Sequence, residues 1–113
     1  MEENVRPWGN YDVLLDASNC KVKQITVKPG GRLSYQYHHK RSEVWVVVSG
    51  SGLFTLDGVT ERVHAGKIVK IPMGHLHRIY NNMQEDLVFI EVQLGSYFGE
   101  DDIVRVDDDY NRQ

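Results

Sequence analysis

The stretch Glu43-Val44-Trp45-Val46-Val47-Val48-Ser49-Gly50-Ser51-Gly52-Leu53-Phe54-Thr55-Leu56-Asp57-Gly58-Val59-Thr60-Glu61-Arg62-Val63 decides the fold. It holds three runs of strand length, rich in β-branched and aromatic residues, which pack well on a pleated surface. Gly50 and Gly52 separate the first two runs, and Asp57-Gly58 separates the last two. Asp-Gly between two such runs predicts a tight hairpin, because both central residues of a type I′ turn need positive φ.

The same rhythm extends in both directions. Further runs of strand length lie at 21–27, 33–38, 67–71, 77–80 and 87–94, with Gly or Pro at Pro29-Gly30-Gly31, Gly66, Pro72, Gly74, Gly95 and Gly99. Val, Ile and Thr supply 24 residues and Ala only 2, a ratio that favours strand over helix. No window of about twelve residues carries a helical stripe. Eight short strands in 113 residues predict one all-β domain, a sandwich or barrel.

Charge and composition exclude several classes. The chain is 41% hydrophobic and 26% charged, which is ordinary for a globular domain and argues against disorder. A net charge of −3 does not suit a nucleic-acid binder, which needs a basic face. No apolar run approaches the roughly 20 residues that cross a bilayer, so no membrane partner is expected. Met1-Glu2-Glu3-Asn4 lacks the apolar stretch of a signal peptide, and the expected location is cytoplasmic. The single cysteine, Cys20, cannot form an internal disulfide, and it is read, like His64, as having no functional role.

Four of the five histidines fall in two short segments, at 38–39 and 75–77. Alternate side chains of a strand share a face, so Gln36 and His38 point the same way and Lys40 follows them towards the rim. A turn near 40–42 would bring Glu43 back towards the same interior. Pro72 and Gly74 bend the second segment so that His77 can complete a four-ligand site.

The spacings G-x5-Q-x-H-x4-E-x6-G (Gly30, Gln36, His38, Glu43, Gly50) and G-x5-P-x-G-x2-H-x3-N (Gly66, Pro72, Gly74, His77, Asn81) resemble the two motifs of the cupin superfamily. Gln36 stands where the first histidine is usual. Arg6-Pro7-Trp8-Gly9, Lys21-Val22-Lys23, Glu43-Val44-Trp45, His77-Arg78-Ile79, Ile90-Glu91-Val92-Gln93 and Glu100-Asp101-Asp102-Ile103 further resemble the cupin-type mannose-6-phosphate isomerase family. The likeness runs from Arg6 to Arg112, with Lys40 where a third histidine is common.

The resemblance implies an antiparallel jelly-roll barrel: a single cupin domain over 1–113, with its core at about 21–94 and both terminal segments packed on it. It implies a divalent metal on Gln36, His38, Glu43 and His77. Such ligands suit zinc and would also accept manganese, iron, cobalt or nickel. The expected activity is that of a stand-alone, metal-dependent aldose–ketose isomerase, without guanylyltransferase activity, which interconverts mannose 6-phosphate and fructose 6-phosphate through an enediolate. His39, Lys40 and His75 are the candidate acid–base groups, and Arg41 a further catalytic candidate. Lys40, Arg41 and Arg78 are the expected contacts to an anionic sugar phosphate, because cations at one mouth suit phosphate oxygens. A homodimer is expected. A metal-dependent dioxygenase and a non-catalytic sugar- or effector-binding cupin are the other readings of such a barrel.

Overall fold

The structure, a computed structural model, describes residues 4–110, so the outermost residues of the expected domain, 1–3 and 111–113, lie outside it. Among the described residues, eleven strands form two antiparallel sheets. The first holds β1 (Val5–Arg6), β2 (Gly9–Asp16), β3 (Cys20–Val27), β10 (Leu87–Gly95), β5 (Arg41–Ser49) and β8 (Ile68–Ile71), in that order. The second holds β11 (Val104–Asp107), β4 (Tyr35–Tyr37), β9 (His77–Tyr80), β6 (Ser51–Leu56) and β7 (Val59–His64). Eight strands answer to the eight expected runs; β1, β2 and β11 extend the two sheets from the terminal segments. No helix among the described residues is long and apolar enough to cross a membrane.

The predicted hairpin is present. Leu56 pairs with Val59, and Asp57 and Gly58 take φ of 48° and 83°. Gly50 has φ of 83°, and a Cβ there would lie 2.4 Å from the Asp86 carbonyl oxygen, so the β5–β6 corner requires glycine. The expected strand 33–38 shortens to Tyr35–Tyr37. Leu33 N–H instead donates to the Ile79 carbonyl, and His38 lies past the strand, where the chain turns.

Strict alternation separates the two faces of the central strands. In β5, Arg41, Glu43, Trp45 and Val47 point inward; in β10, Leu87, Phe89, Glu91 and Gln93 do so; in β3, Lys23, Ile25 and Val27. Because neighbouring strands are antiparallel, the register Lys23–Glu91–Trp45 places the polar ends of all three strands together. The other end is the hydrophobic core. Trp45 stacks on Phe89 with centroids 4.3 Å apart and meets Phe54 of the opposite sheet edge-on at 5.4 Å. The barrel is therefore apolar at one end and polar at the other, and the polar end is where the candidate ligands meet.

Phe89 is fully buried and joins the two sheets through Trp45. Phe89→Ala should cost about 3–5 kcal/mol, from lost burial and the cavity left behind. Urea unfolding followed by tryptophan fluorescence measures this as a fall in the midpoint at an unchanged slope.

Candidate metal centre and ligand pocket

β4 and β9 pair through a single register position, Gln36 opposite His77, which sets these two buried side chains side by side on the second sheet. β5 brings Glu43 from the first sheet, and the turn after β4 brings His38. Ligand atoms of His38, Glu43 and His77 all lie within 4.8 Å of one another. The structure thus brings three of the four expected ligands together, and Gln36 pairs opposite His77 and lines the same pocket as His38 and Glu43.

The ring tautomers follow from the neighbours. His38 Nδ1 lies 2.6 Å from the Asp102 carbonyl oxygen and His77 Nδ1 lies 3.0 Å from that of His75. A carbonyl only accepts, so each Nδ1 carries the proton and each Nε2 presents its lone pair to the interior. Burial pushes both imidazoles below their ordinary pKa, which keeps them neutral as a metal ligand must be. His77 Nε2 is buried and has no hydrogen-bond partner among the described residues. An orphaned, neutral nitrogen beside a second imidazole and a carboxylate is the donor set that a borderline divalent ion satisfies.

Glu43 stays ionised although it is buried. Burial alone would raise its pKa, but the Arg41 guanidinium, with Nε donating to Oε2 at 2.8 Å, together with His77, His38 and a hydrogen bond from Glu91 brings the carboxyl down to about 2. Trp45 Nε1 donates to the other oxygen at 2.9 Å. Next to this pair, Glu91 goes the other way. Burial and the adjacent Glu43 charge push its carboxyl up to about 8, and Gln93 Nε2 donates to it at 2.5 Å.

Arg41, expected at the rim, is buried inside. Asp102 explains why: its carboxylate accepts from the backbone N–H of His39 at 3.1 Å and of Lys40 at 2.9 Å. That clamp turns the chain, ends the alternation of β4 and lets β5 begin inward at Arg41. Lys40 is consequently not on the interior face with Gln36 and His38. It is exposed, with Nζ 5.0 Å from the Tyr97 ring centre. His39 is exposed and edge-on to Tyr37, and His75 is exposed and bonded to Asp57 at 2.5 Å. Arg78 lies on the outer face of β9, where Nε donates to the Leu33 carbonyl and Nη1 faces Asp107. None of these four lines the pocket beside the ligands, so the expected ring of Lys40, Arg41 and Arg78 around one mouth is not formed.

That pocket is lined instead by Arg6, Lys23, Arg41, Glu91, Glu100 and Arg105, among others. Lys23 and Glu91 could have been found by parity, since each sits two residues from an apolar inward position. Arg105 could not, because its place depends on β11 pairing it opposite Gln36.

Two antiparallel sheets closing on a His–His–Glu cluster at one end define a cupin. The chain belongs to the family described as mannose-6-phosphate isomerase C-terminal, whose model matches residues 1–108. It is 48% identical over 110 residues to the alginate biosynthesis protein AlgA of Pseudomonas aeruginosa. It is 46% identical over 110 residues to a mannose-1-phosphate guanylyltransferase of Escherichia coli K12. Each match covers 97% of this chain and 23% of the relative. Among solved structures, a Klebsiella pneumoniae protein with a double-stranded β-helix domain superposes with a TM-score of 0.76 at 23% identity, covering 92% of this chain and 91% of that one. A proposed sugar phosphate isomerase from Acidithiobacillus ferrooxidans gives 0.63 at 27% identity, covering 67% and 50%.

These likenesses correct the expected function. The chain spans about a quarter of the length of its curated relatives, which are named for guanylyl transfer to mannose 1-phosphate and for polysaccharide biosynthesis. A stand-alone enzyme for mannose 6-phosphate and fructose 6-phosphate interconversion therefore does not stand as the function of this protein. Fold and motif spacing describe the cupin unit only, and they do not carry the activity of the larger proteins in which it occurs.

A proton bound by Glu91 in the folded state but not in the unfolded state makes stability fall as pH rises towards 8. The metal-free protein should lose stability between pH 7 and 9, whereas Glu91→Gln should be flat over that range. Urea midpoints at the two pH values measure the difference; equal slopes would show that Glu91 is ionised throughout.

Proposed function

We propose that this cupin domain is a divalent-metal centre that binds a phosphorylated hexose of the mannose series. The observation that carries the reading is the buried, unpartnered His77 Nε2 facing His38 and Glu43, beside a pocket lined by four cationic side chains. Gln36, His38, Glu43 and His77 would hold the ion, with zinc the best match to the donor set. When bound, the ion supplies Lewis-acid polarisation of a sugar carbonyl or hydroxyl oxygen. Arg41 then fixes the ionised state and the orientation of Glu43, while Asp102 and His75 fix the two imidazoles through their carbonyls. The names of the family and of the guanylyltransferase relatives, both built on mannose phosphates, support this ligand class. Homodimer formation and a cytoplasmic location belong to the same proposal. The first is supported by the aliphatic outer face that Val44, Val46, Val88, Ile90 and Val92 give the larger sheet.

Metal analysis by mass spectrometry and calorimetric titration test the reading. The zinc-loaded protein should bind mannose 6-phosphate or mannose 1-phosphate more tightly than mannose, and chelation should abolish the difference. His77→Ala should weaken metal binding by at least about a hundredfold, since it removes a direct ligand. Unchanged metal content in that variant, or sugar-phosphate binding indifferent to chelation, would overturn the assignment. Light scattering at micromolar concentration should give twice the chain mass.

A further inference from the structure

The pocket beside the candidate ligands has two buried cations that share one anion borrowed from the chain itself. Lys23 is 4% exposed, yet its ammonium makes one hydrogen bond among the described residues, to Glu100 Oε2 at 3.1 Å. Its other neighbours are the face of the Tyr11 ring, 4.3 Å away, and Glu91, which pairs opposite it across β3 and β10. Arg41 uses Nε on Glu43 and turns Nη2 towards His38, while its buried Nη1 has no hydrogen-bond partner among the described residues. That atom lies 3.8 Å from the same Glu100 Oε2. Glu100 comes from the turn that precedes β11 and is 52% exposed, far more than either cation it meets.

We propose that Lys23 and Arg41 form an oxyanion subsite for the phosphate of the ligand, and that the Glu100 carboxylate fills this subsite in the free protein and leaves when the phosphate enters. The assignment rests on the sugar-phosphate reading above and locates the phosphate within it.

Three arguments support it. A carboxylate presents two oxygens and one charge, which is half of what an ammonium with three donors and a guanidinium with a spare N–H can serve. A phosphate monoester presents three acceptor oxygens and nearly two charges. The pairing agrees: Glu43 already takes the Nε of Arg41, and Glu100 Oε2 lies near both Lys23 and Arg41, so its withdrawal leaves positive charge that a phosphate would meet. Position agrees as well. Glu100 can leave for solvent because it is already half exposed, whereas Lys23 and Arg41 are fixed in β3 and β5.

The test is calorimetry and phosphorus NMR on the zinc-loaded full chain and two variants, with inorganic phosphate, mannose 6-phosphate and mannose as probes. Glu100→Gln should bind both phosphorylated probes about tenfold more tightly, because the competing carboxylate is gone. Lys23→Met should bind them at least about tenfold more weakly, with little change for mannose. If Lys23→Met does not fold, Glu100→Gln alone decides, since its side chain is half exposed and its fold can be checked by thermal melting. A latch that merely tethers the C-terminal segment predicts the opposite for Glu100→Gln: lower melting temperature and no gain for phosphate. Equal phosphate affinity in wild type and Glu100→Gln overturns the subsite. If sugar phosphate binds in a metal-dependent way at one affinity in all three proteins, the subsite fails while the metal reading survives. If Glu100→Gln gains phosphate affinity regardless of chelation, the metal reading fails while the subsite stands.

Discussion

A carboxylate that is 2% exposed stays ionised inside this barrel because a guanidinium lies 2.8 Å from it. Glu43 and Arg41 are two residues apart on one strand, so their mutual position is set by β-strand geometry and not by a flexible loop. Breaking such a buried pair leaves an uncompensated charge, which costs about 3–5 kcal/mol. Everything at the polar end is arranged around that pair: two imidazoles that burial keeps neutral, a tryptophan that donates to the carboxylate, and a second acid, Glu91, that burial and the first acid drive to hold its proton.

The polar end stands on the apolar end. Trp45 belongs to both, since its ring stacks on Phe89 in the core while its Nε1 donates to Glu43. It also meets His77 edge-on, with centroids 5.7 Å apart. Packing the core therefore also fixes the carboxylate and one imidazole. A close-packed interior moves little, and a metal centre needs its ligands held within a few tenths of an ångström. The C-terminal segment does comparable work from outside. Asp102 closes the turn at 39–40 and orients His38 through its carbonyl, and Glu100 lies across two buried cations. The resemblance implies that this segment packs on the barrel. In the fold it shapes the pocket, because β11 returns the chain to β4.

Much of this was legible in the residues. Strand alternation, the Asp57-Gly58 turn and the two motif spacings led to an all-β cupin barrel, and three of the four expected ligands, His38, Glu43 and His77, lie together. Parity alone also places His77 inside and Arg78 outside on β9, as the structure has them. What the sequence could not decide was where alternation stops. Lys40 has the parity of Gln36 and His38, yet it faces solvent, and Arg41 has the opposite parity, yet it is buried. The switch is made by the Asp102 carboxylate, 62 residues from Lys40 along the chain, and no local pattern contains it. The cations of the pocket follow the same division. Lys23 sits at an inward position of β3, readable by counting from Ile25 and Val27, whereas Arg105 is brought in by a strand pairing that only the folded chain makes. Sequence by itself determined the faces of each strand, because the two-residue period is a property of the backbone. Tertiary structure decided which strands meet, where the turns reset that period and which charges share one pocket, because those depend on contacts between residues far apart in the chain.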